Sequence, residues 1–223
     1  AGAVPGHRFR LIELLNNRAI QQPVNATPVV EVHGLSHNYG DFRALKDLSF
    51  TVSAGEVFGF LGPNGGGKTT TFRILSTLIT PTSGSARILG FDLVSQSREI
   101  RRRIGVVFQA PSLDKKLTAY ENLVHQGHLY GLSGKALKER IRFLLDRVKL
   151  LDRAHEYVER FSGGMRRRVE LAKGLLHGPE LLILDEPFSG LDPVNMEVLR
   201  DAILEVKQQG ATTRSFTNWR VMS

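Results

Sequence analysis

The chain has 223 residues, 41% of them apolar, which is enough for one large or two small domains with a real core. It contains no cysteine, which excludes disulfides, thiolate catalysis and cysteine-based metal sites and is compatible with a reducing compartment. The formal net charge of +8 suits nucleic acid, an anionic membrane surface, a polyanionic ligand or simply a solvated basic surface, and no apolar run approaches the roughly 18 residues needed to cross a bilayer.

Residues 1–28 read as a leader and linker. The first six lack the apolar core of a secretory signal, 7–20 have the spacing of a short amphipathic helix, and Pro23 and Pro28 punctuate a linker. The leader is either a membrane-surface contact or a disordered tail. The stretches 29–32 and 48–52 are apolar and β-branched, as strands are, and 56–61 is a third strand ending directly in a glycine-rich loop. A helix is expected over 68–78, then a turn at Pro81 and Ser83-Gly84, then strands over 86–89 and 104–108. Helices follow over 118–130 and 135–150. In the second of these, Leu137, Ile141, Leu144, Leu145 and Val148 recur at helical spacing. Ser162 is placed to cap a helix running to about residue 177. The continuous apolar run Leu181–Leu184 is the pattern of a strand buried on both faces. A last helix over 193–209 closes at Gly210. This alternation gives an α/β class: a central, mostly parallel sheet, a small antiparallel β subdomain and a helical subdomain over about 111–161. The domain spans 29–210, and 211–223 form a divergent tail.

The loop from Gly62 to Thr70 carries the first chemical signal. Gly62, Pro63, Asn64, Gly65, Gly66, Gly67, Lys68 and Thr69 satisfy G-x-x-x-x-G-K-[ST], between an expected strand and an expected helix. Glycines let the backbone fold tightly and aim N–H groups at phosphate oxygens. The helix N-terminus adds partial positive charge. Lys68 is placed for the β- and γ-phosphates of ATP, and the Thr69 hydroxyl for magnesium. The loop makes the core that of a P-loop NTPase.

The second signal is Asp185-Glu186 at the end of LLIL. A buried strand ending in two carboxylates puts both at its C-terminal tip, where open α/β sheets hold ligands. Beside a phosphate loop, Asp185 suits magnesium through water and Glu186 suits polarising the attacking water.

With these residues in place, the sequence over 29–209 resembles the ABC ATPase family. Residues 161–165 read FSGGM and resemble the family signature, with Met165 in the form seen among drug exporters. The resemblance implies that Ser162, Gly163 and Gly164 face the γ-phosphate held by a second protomer, so that two ATP molecules are sandwiched in a nucleotide-dependent homodimer. It implies that Gln109 contacts magnesium or the lytic water and relays state to a permease. Tyr39 stacks on adenine in this reading, and Asp192, in SGLD, reaches across the dimer. Gly66 stands where alanine is common, a mild departure. The resemblance implies a subunit of an exporter of drugs or lipid-linked sugars, peripheral at the cytoplasmic face of the cell membrane. A separate membrane-spanning permease docks near Gln109, and nucleic acid is not an expected partner. The basic surface is then expected near anionic lipid. A soluble relative acting on ribosomes or DNA would carry two cassettes or a long coiled-coil insertion, and neither is present.

The family pattern continues past the last helix with an apolar strand ending in a switch histidine. Here Gly210 is followed by ATTRSFTNWRVMS, with no histidine after His177. The tail reads as a truncated or frame-shifted ending, or as that of a shortened, divergent member. ATP binding is expected to be easier to retain than hydrolysis, which leaves a binding-only cassette as the alternative.

Overall fold

The computed structural model describes residues 28–53 and 66–208, with the backbone alone for 205–208. The expected leader helix, the strand over 56–61, Gly62, Pro63, Asn64 and Gly65 of the loop, and the tail after Gly210 lie outside the described residues.

The chain begins with a long hairpin of β1 (Pro28–Tyr39) and β2 (Phe42–Ser53). Helix α1 (Lys68–Leu75) follows, then β3 (Ser83–Ile88) and the short β4 (Phe91–Asp92). These strands form one antiparallel sheet in the order β2-β1-β3-β4. Val30, Val32 and Leu35 of β1, Phe50 and Val52 of β2, and Ala86 and Ile88 of β3 are buried together with Ile74 of α1. That burial of β-branched and aromatic side chains is what fixes the register.

Two expectations near here are corrected. The helix stops at Leu75, not 78, because Thr77 adopts a left-handed φ of 61° that a helix cannot continue through. Ser83-Gly84 is not a turn but the start of β3. Gly84 has φ +85°, and a Cβ there would lie 2.4 Å from the Gly34 carbonyl oxygen. The glycine marks close approach of two strands, which in sequence looks the same as a turn.

Helix α2 (Ser97–Arg103) leads into β5 (Ile104–Val107). The helical part follows: α3 (Ala119–Leu129), α4 (Gly134–Arg147), a 3-10 turn (Val158–Arg160) and α5 (Gly163–Leu175). Thr118 caps α3 with a capping box shared with Glu121. Leu137, Ile141, Leu144 and Leu145 form the buried stripe of α4, packed with Leu123, Phe161, Val169 and Leu171 in a second apolar cluster. Val148 is buried as expected, but α4 ends at Arg147 rather than 150, since Lys149 is left-handed at φ 55°. Strand β6 (Leu181–Leu184) pairs parallel with β5, and α6 (Pro193–Gln208) closes the described chain. Leu181 and Leu182 are buried, while Ile183 and Leu184 are half-buried, so the strand is closed on both faces only over its first half.

Among the described residues no helix is long and apolar enough to cross a membrane.

Candidate functional site

The site is built at the tips of two short parallel strands. β5 and β6 pair from Ile104 with Leu181 to Val107 with Leu184, and the ladder continues one step, Asp185 N–H donating to the Val107 carbonyl at 2.9 Å. Residues 108–109 and 185–186 therefore leave the sheet side by side. Gln109 Nε2 donates to Glu186 Oε2 at 3.3 Å, joining positions 77 apart in sequence. Glu186 has φ 43°, a left-handed backbone uncommon outside glycine and frequent at functional sites. Its side chain is exposed, whereas Asp185 is half-buried. Burial first, and then the adjacent Glu186 charge, raise the Asp185 carboxyl above the usual carboxylate range, against the pull of Arg167 and Arg73.

Helix α5 sets this geometry. It lies almost on the backbone of β5: a Cβ at Gly105 would sit 2.3 Å from the Gly174 carbonyl oxygen, so only glycine permits the approach. From that position Arg167 donates to three carbonyls that the strand ladder leaves over. They belong to Phe108, to Asp185 (2.6 Å) and to Pro187 (3.1 Å). Its guanidinium is desolvated there, with Glu170 and Asp185 compensating the charge. Farther along the helix, Glu170 accepts from the N–H and hydroxyl of Ser112, and Lys173 donates to the Ser112 carbonyl and hydroxyl.

The helix start carries Ser162, Gly163 and Gly164. Ser162 is the cap, its hydroxyl accepting from Met165 N–H at 3.2 Å, and Ser162 and Gly163 are exposed. Met165 Sδ meets Arg153 Nη1 at 3.3 Å, and Arg153 also lies over the Phe161 ring at 5.4 Å. Arg166 Nε holds the Phe161 carbonyl. A cleft of about 250 Å³ runs between Gln109, Gly163, Arg166, Glu186 and the segment Ser189-Gly190-Leu191. Asp192 caps α6: its Oδ1 accepts from Asn195 N–H at 2.9 Å and its Oδ2 from Asn195 Nδ2 at 2.5 Å. These bonds hold its carboxyl below the usual range.

On the other side, α1 starts at Lys68 with Gly67 as N-cap. Thr69 is exposed, and Thr70 is buried. Phe72 of α1 meets Phe108 edge-on at 5.6 Å, which binds the start of the phosphate-loop helix to the strand end before Gln109. Tyr39 stands apart at the end of the β1–β2 hairpin, 42% exposed, its ring edge-on to His37 at 4.6 Å. Three residues after the hairpin partner Phe42, Leu45 of β2 packs beside Gly67, so the hairpin end lies on the α1 side.

The fold thus brings Gln109, Gly163 and Glu186 to one cleft and sets Asp185 beside it. Tyr39, Lys68 and Thr69 do not line that cleft. Sequence reasoning missed Arg167, Glu170, Lys173 and Ser112. The only signal was the run RRRVELAK on a helix, where a buried charge is indistinguishable from a solvated one.

A divalent cation fits the acidic pair on chemical grounds. The Asp185 carboxylate makes no hydrogen bond among the described residues, and burial beside a second carboxylate penalises its charge. No cluster of three or more acidic or histidine ligands occurs among the described residues. A hard cation shared with phosphate oxygens, as magnesium prefers, matches so small a ligand set.

The ABC transporter family matches residues 45–189. The daunorubicin/doxorubicin resistance ATP-binding protein DrrA of Streptomyces peucetius is 42% identical over 193 residues, 86% of this chain and 58% of that one. The chain therefore spans a little over half the length of that relative. A solved ATP-binding subunit of an ABC transporter superposes with a TM-score of 0.74 at 32% identity, covering 86% of this chain and 78% of the other. MJ0796, a bacterial ABC transporter cassette solved as a dimer, gives a TM-score of 0.74 at 27% identity, covering 82% and 85%. With sequence, fold and the order of its motifs in agreement, the chain belongs to the ABC transporter family, as one of its ATP-binding members.

Proposed function

We propose that this chain is the ATP-binding subunit of an exporter, hydrolysing ATP to drive a substrate through a separate membrane-spanning permease. The observation that carries the reading is the Gln109–Glu186 contact in a cleft shared with the start of α5. It sets an exposed carboxylate, its amide partner and Gly163 of the signature around one space.

Each residue then has a role. Gly62, Pro63, Asn64, Gly65, Gly66 and Gly67 cradle the phosphates, Lys68 pairs with the β- and γ-phosphates, and Thr70 continues the helix that the loop opens. Thr69 and Asp185 hold magnesium, with Gln109 as a further ligand. When bound, magnesium neutralises charge on the phosphates. Glu186 accepts a hydrogen bond from the attacking water and orients it, while the Gln109 amide holds that carboxylate in place. Tyr39 stacks on adenine. Ser162, Gly163 and Gly164 offer backbone N–H groups at a helix N-terminus to the γ-phosphate of a second protomer, and Asp192 stands at the same dimer seam. The dimeric cassette among the structural neighbours supports that assembly. The permease docks on the helical subdomain over about 111–161, within a cassette over 29–210, which places the chain at the cytoplasmic face of the cell membrane.

The test is single-turnover hydrolysis of magnesium-ATP by the purified chain, with and without its permease. Turnover that Glu186→Gln abolishes while nucleotide binding persists bears the proposal out. A chain that binds no ATP, or whose hydrolysis is indifferent to Glu186, overturns it.

A further inference from the structure

We propose that Glu170 is a positioning residue for Gln109, tying the strand-end loop to α5 so that the Gln109–Glu186 contact follows the helix. This inference rests on the functional reading above for its consequence in hydrolysis, though not for the tether itself.

Gln109, Ala110 and Pro111 are exposed and belong to no strand or helix. Their position is therefore set by what holds the two ends of the segment. Arg167 grips the Phe108 carbonyl at one end. At the other, every polar group of Ser112 is engaged by two side chains of α5, three residues apart on one helix face. Its N–H and hydroxyl donate to the two carboxylate oxygens of Glu170, the hydroxyl at 2.7 Å. Lys173 Nζ donates to the Ser112 carbonyl and hydroxyl, both at 2.9 Å. Glu170 is 5% exposed, yet Ser112 is exposed. A buried carboxylate spends its desolvation on charge-assisted bonds to a backbone N–H and a hydroxyl of a surface loop. Neutralising Arg167 would need only nearby charge. Gripping Ser112 at two oxygens fixes the loop in place.

The same helix is capped by Ser162 and begins at Gly163, which lines the shared cleft. A shift of α5 therefore moves Phe108 and Ser112 together, and Gln109 between them. The contact to Glu186, at 3.3 Å, sits near the limit of a hydrogen bond, so a small displacement makes or breaks it.

The experiment uses the purified full chain. Amide exchange by mass spectrometry is followed over 108–113 in wild type, Glu170→Ala, Glu170→Gln and Ser112→Ala. Glu170→Ala is expected to speed exchange in that segment about tenfold, with β1 to β3 unaffected. Glu170→Gln keeps one acceptor and is expected to have a smaller effect. Ser112→Ala, at an exposed position, carries the test if Glu170→Ala does not fold, with an expected rise of about threefold. A double-mutant cycle in ATP hydrolysis reads the consequence. Glu170→Ala is expected to lower kcat about tenfold with KM for ATP within about twofold, and to add nothing in a Gln109→Ala background. Unchanged exchange over 108–113 overturns the tether, and additive effects in the cycle overturn the positioning of Gln109. A wild-type chain that hydrolyses no ATP overturns the functional reading instead, and leaves the exchange result to decide the tether.

Discussion

The two sheets among the described residues differ in what holds them. The antiparallel sheet is made of long strands, 12 residues each in β1 and β2. It stands on its own ladder and on a continuous layer of buried Val, Leu, Ile and Phe. The parallel pair has only four residues in each strand, with Ile104 and Leu181 buried in that same layer and Val107 and Leu182 in the helical cluster. It is held in addition by α5, through close backbone contact at Gly105 and Gly174 and through Arg167 on three strand-end carbonyls. The residues proposed to carry the chemistry lie at the tips of the shorter sheet, where the chain leaves the ladder and a charged helix face holds it. Damage to the antiparallel sheet is therefore expected to lower stability and spare chemistry, whereas damage to the parallel tips reaches chemistry directly.

The sharpest break between the regions is expected at Glu186. Glu186→Gln keeps the shape and removes the charge of an exposed side chain, so folding stays intact. Hydrolysis falls by about 10³-fold, in the range of a lost general base, while the affinity for a fluorescent ATP analogue stays within about threefold. A loss of binding as large as the loss of turnover would mean that Glu186 holds nucleotide rather than orienting water.

The next comparison sets Arg167→Met against Ile88→Ala. Arg167→Met leaves three carbonyls without their donor and Glu170 without a compensating charge, which costs about 3 kcal/mol in urea unfolding. Ile88 is fully buried in the antiparallel sheet, and its truncation costs a similar 3 kcal/mol or so through the cavity left behind. Only the arginine variant is expected to lose turnover per folded molecule. Equal kinetic effects from both would erase the distinction between the sheets.

The sequence exposes these two regions unequally. The strand Leu181–Leu184 and the cap at Ser162 are legible, because an apolar run bounded by carboxylates and a serine before two glycines each have one cheap structural solution. The Gln109–Glu186 neighbourhood follows from two strand ends meeting in a parallel sheet. By contrast, α2 is hidden: among its seven residues only Ile100 is buried, and SREIRRR carries no apolar period. Arg167, Glu170 and Lys173 are hidden for a deeper reason. Whether a charged helix face meets solvent or a row of orphan carbonyls depends on a backbone approach that Gly105 permits 62 positions before Arg167, and no local pattern encodes that.

Two glycines probe the sheets at a smaller scale. Both Gly84→Ala and Gly105→Ala drive a Cβ into backbone oxygen, at 2.4 Å and 2.3 Å respectively. Each is expected to destabilise by about 2–3 kcal/mol in urea unfolding. Gly84→Ala strains the approach of β1 and β3 and leaves turnover per folded molecule unchanged. Gly105→Ala displaces α5 from β5, and with it Arg167, so turnover falls about tenfold as well. Retained turnover in Gly105→Ala would show that α5 holds the tips without that close packing.

The smallest expected effect concerns the far end of the parallel pair. His177 follows α5, stacks on Tyr130 at 3.8 Å and bonds the Ile104 carbonyl at 3.0 Å through Nε2. Its Nδ1 is buried without a partner among the described residues. Burial first, with the nearby Arg140 charge adding to it against the Ile104 bond, pushes the imidazole pKa down to about 4. The unfolded chain takes up that proton near the ordinary histidine value of about 6.5, while the folded chain refuses it until about 4. The contribution to stability is therefore complete above pH 6.5 or so and drains away as pH falls toward 4, reaching a loss of about 2 kcal/mol by pH 5. His177→Phe keeps a ring against Tyr130 and removes the proton. It is expected to be less stable at pH 7.5 for want of the Ile104 bond, and its urea-unfolding stability is expected to fall by about 2 kcal/mol less than wild type between pH 7.5 and 5. Parallel pH slopes in the two proteins would place the sensitivity elsewhere, and with it the assumption that this buried end of β5 stays dry while the other end opens onto the cleft.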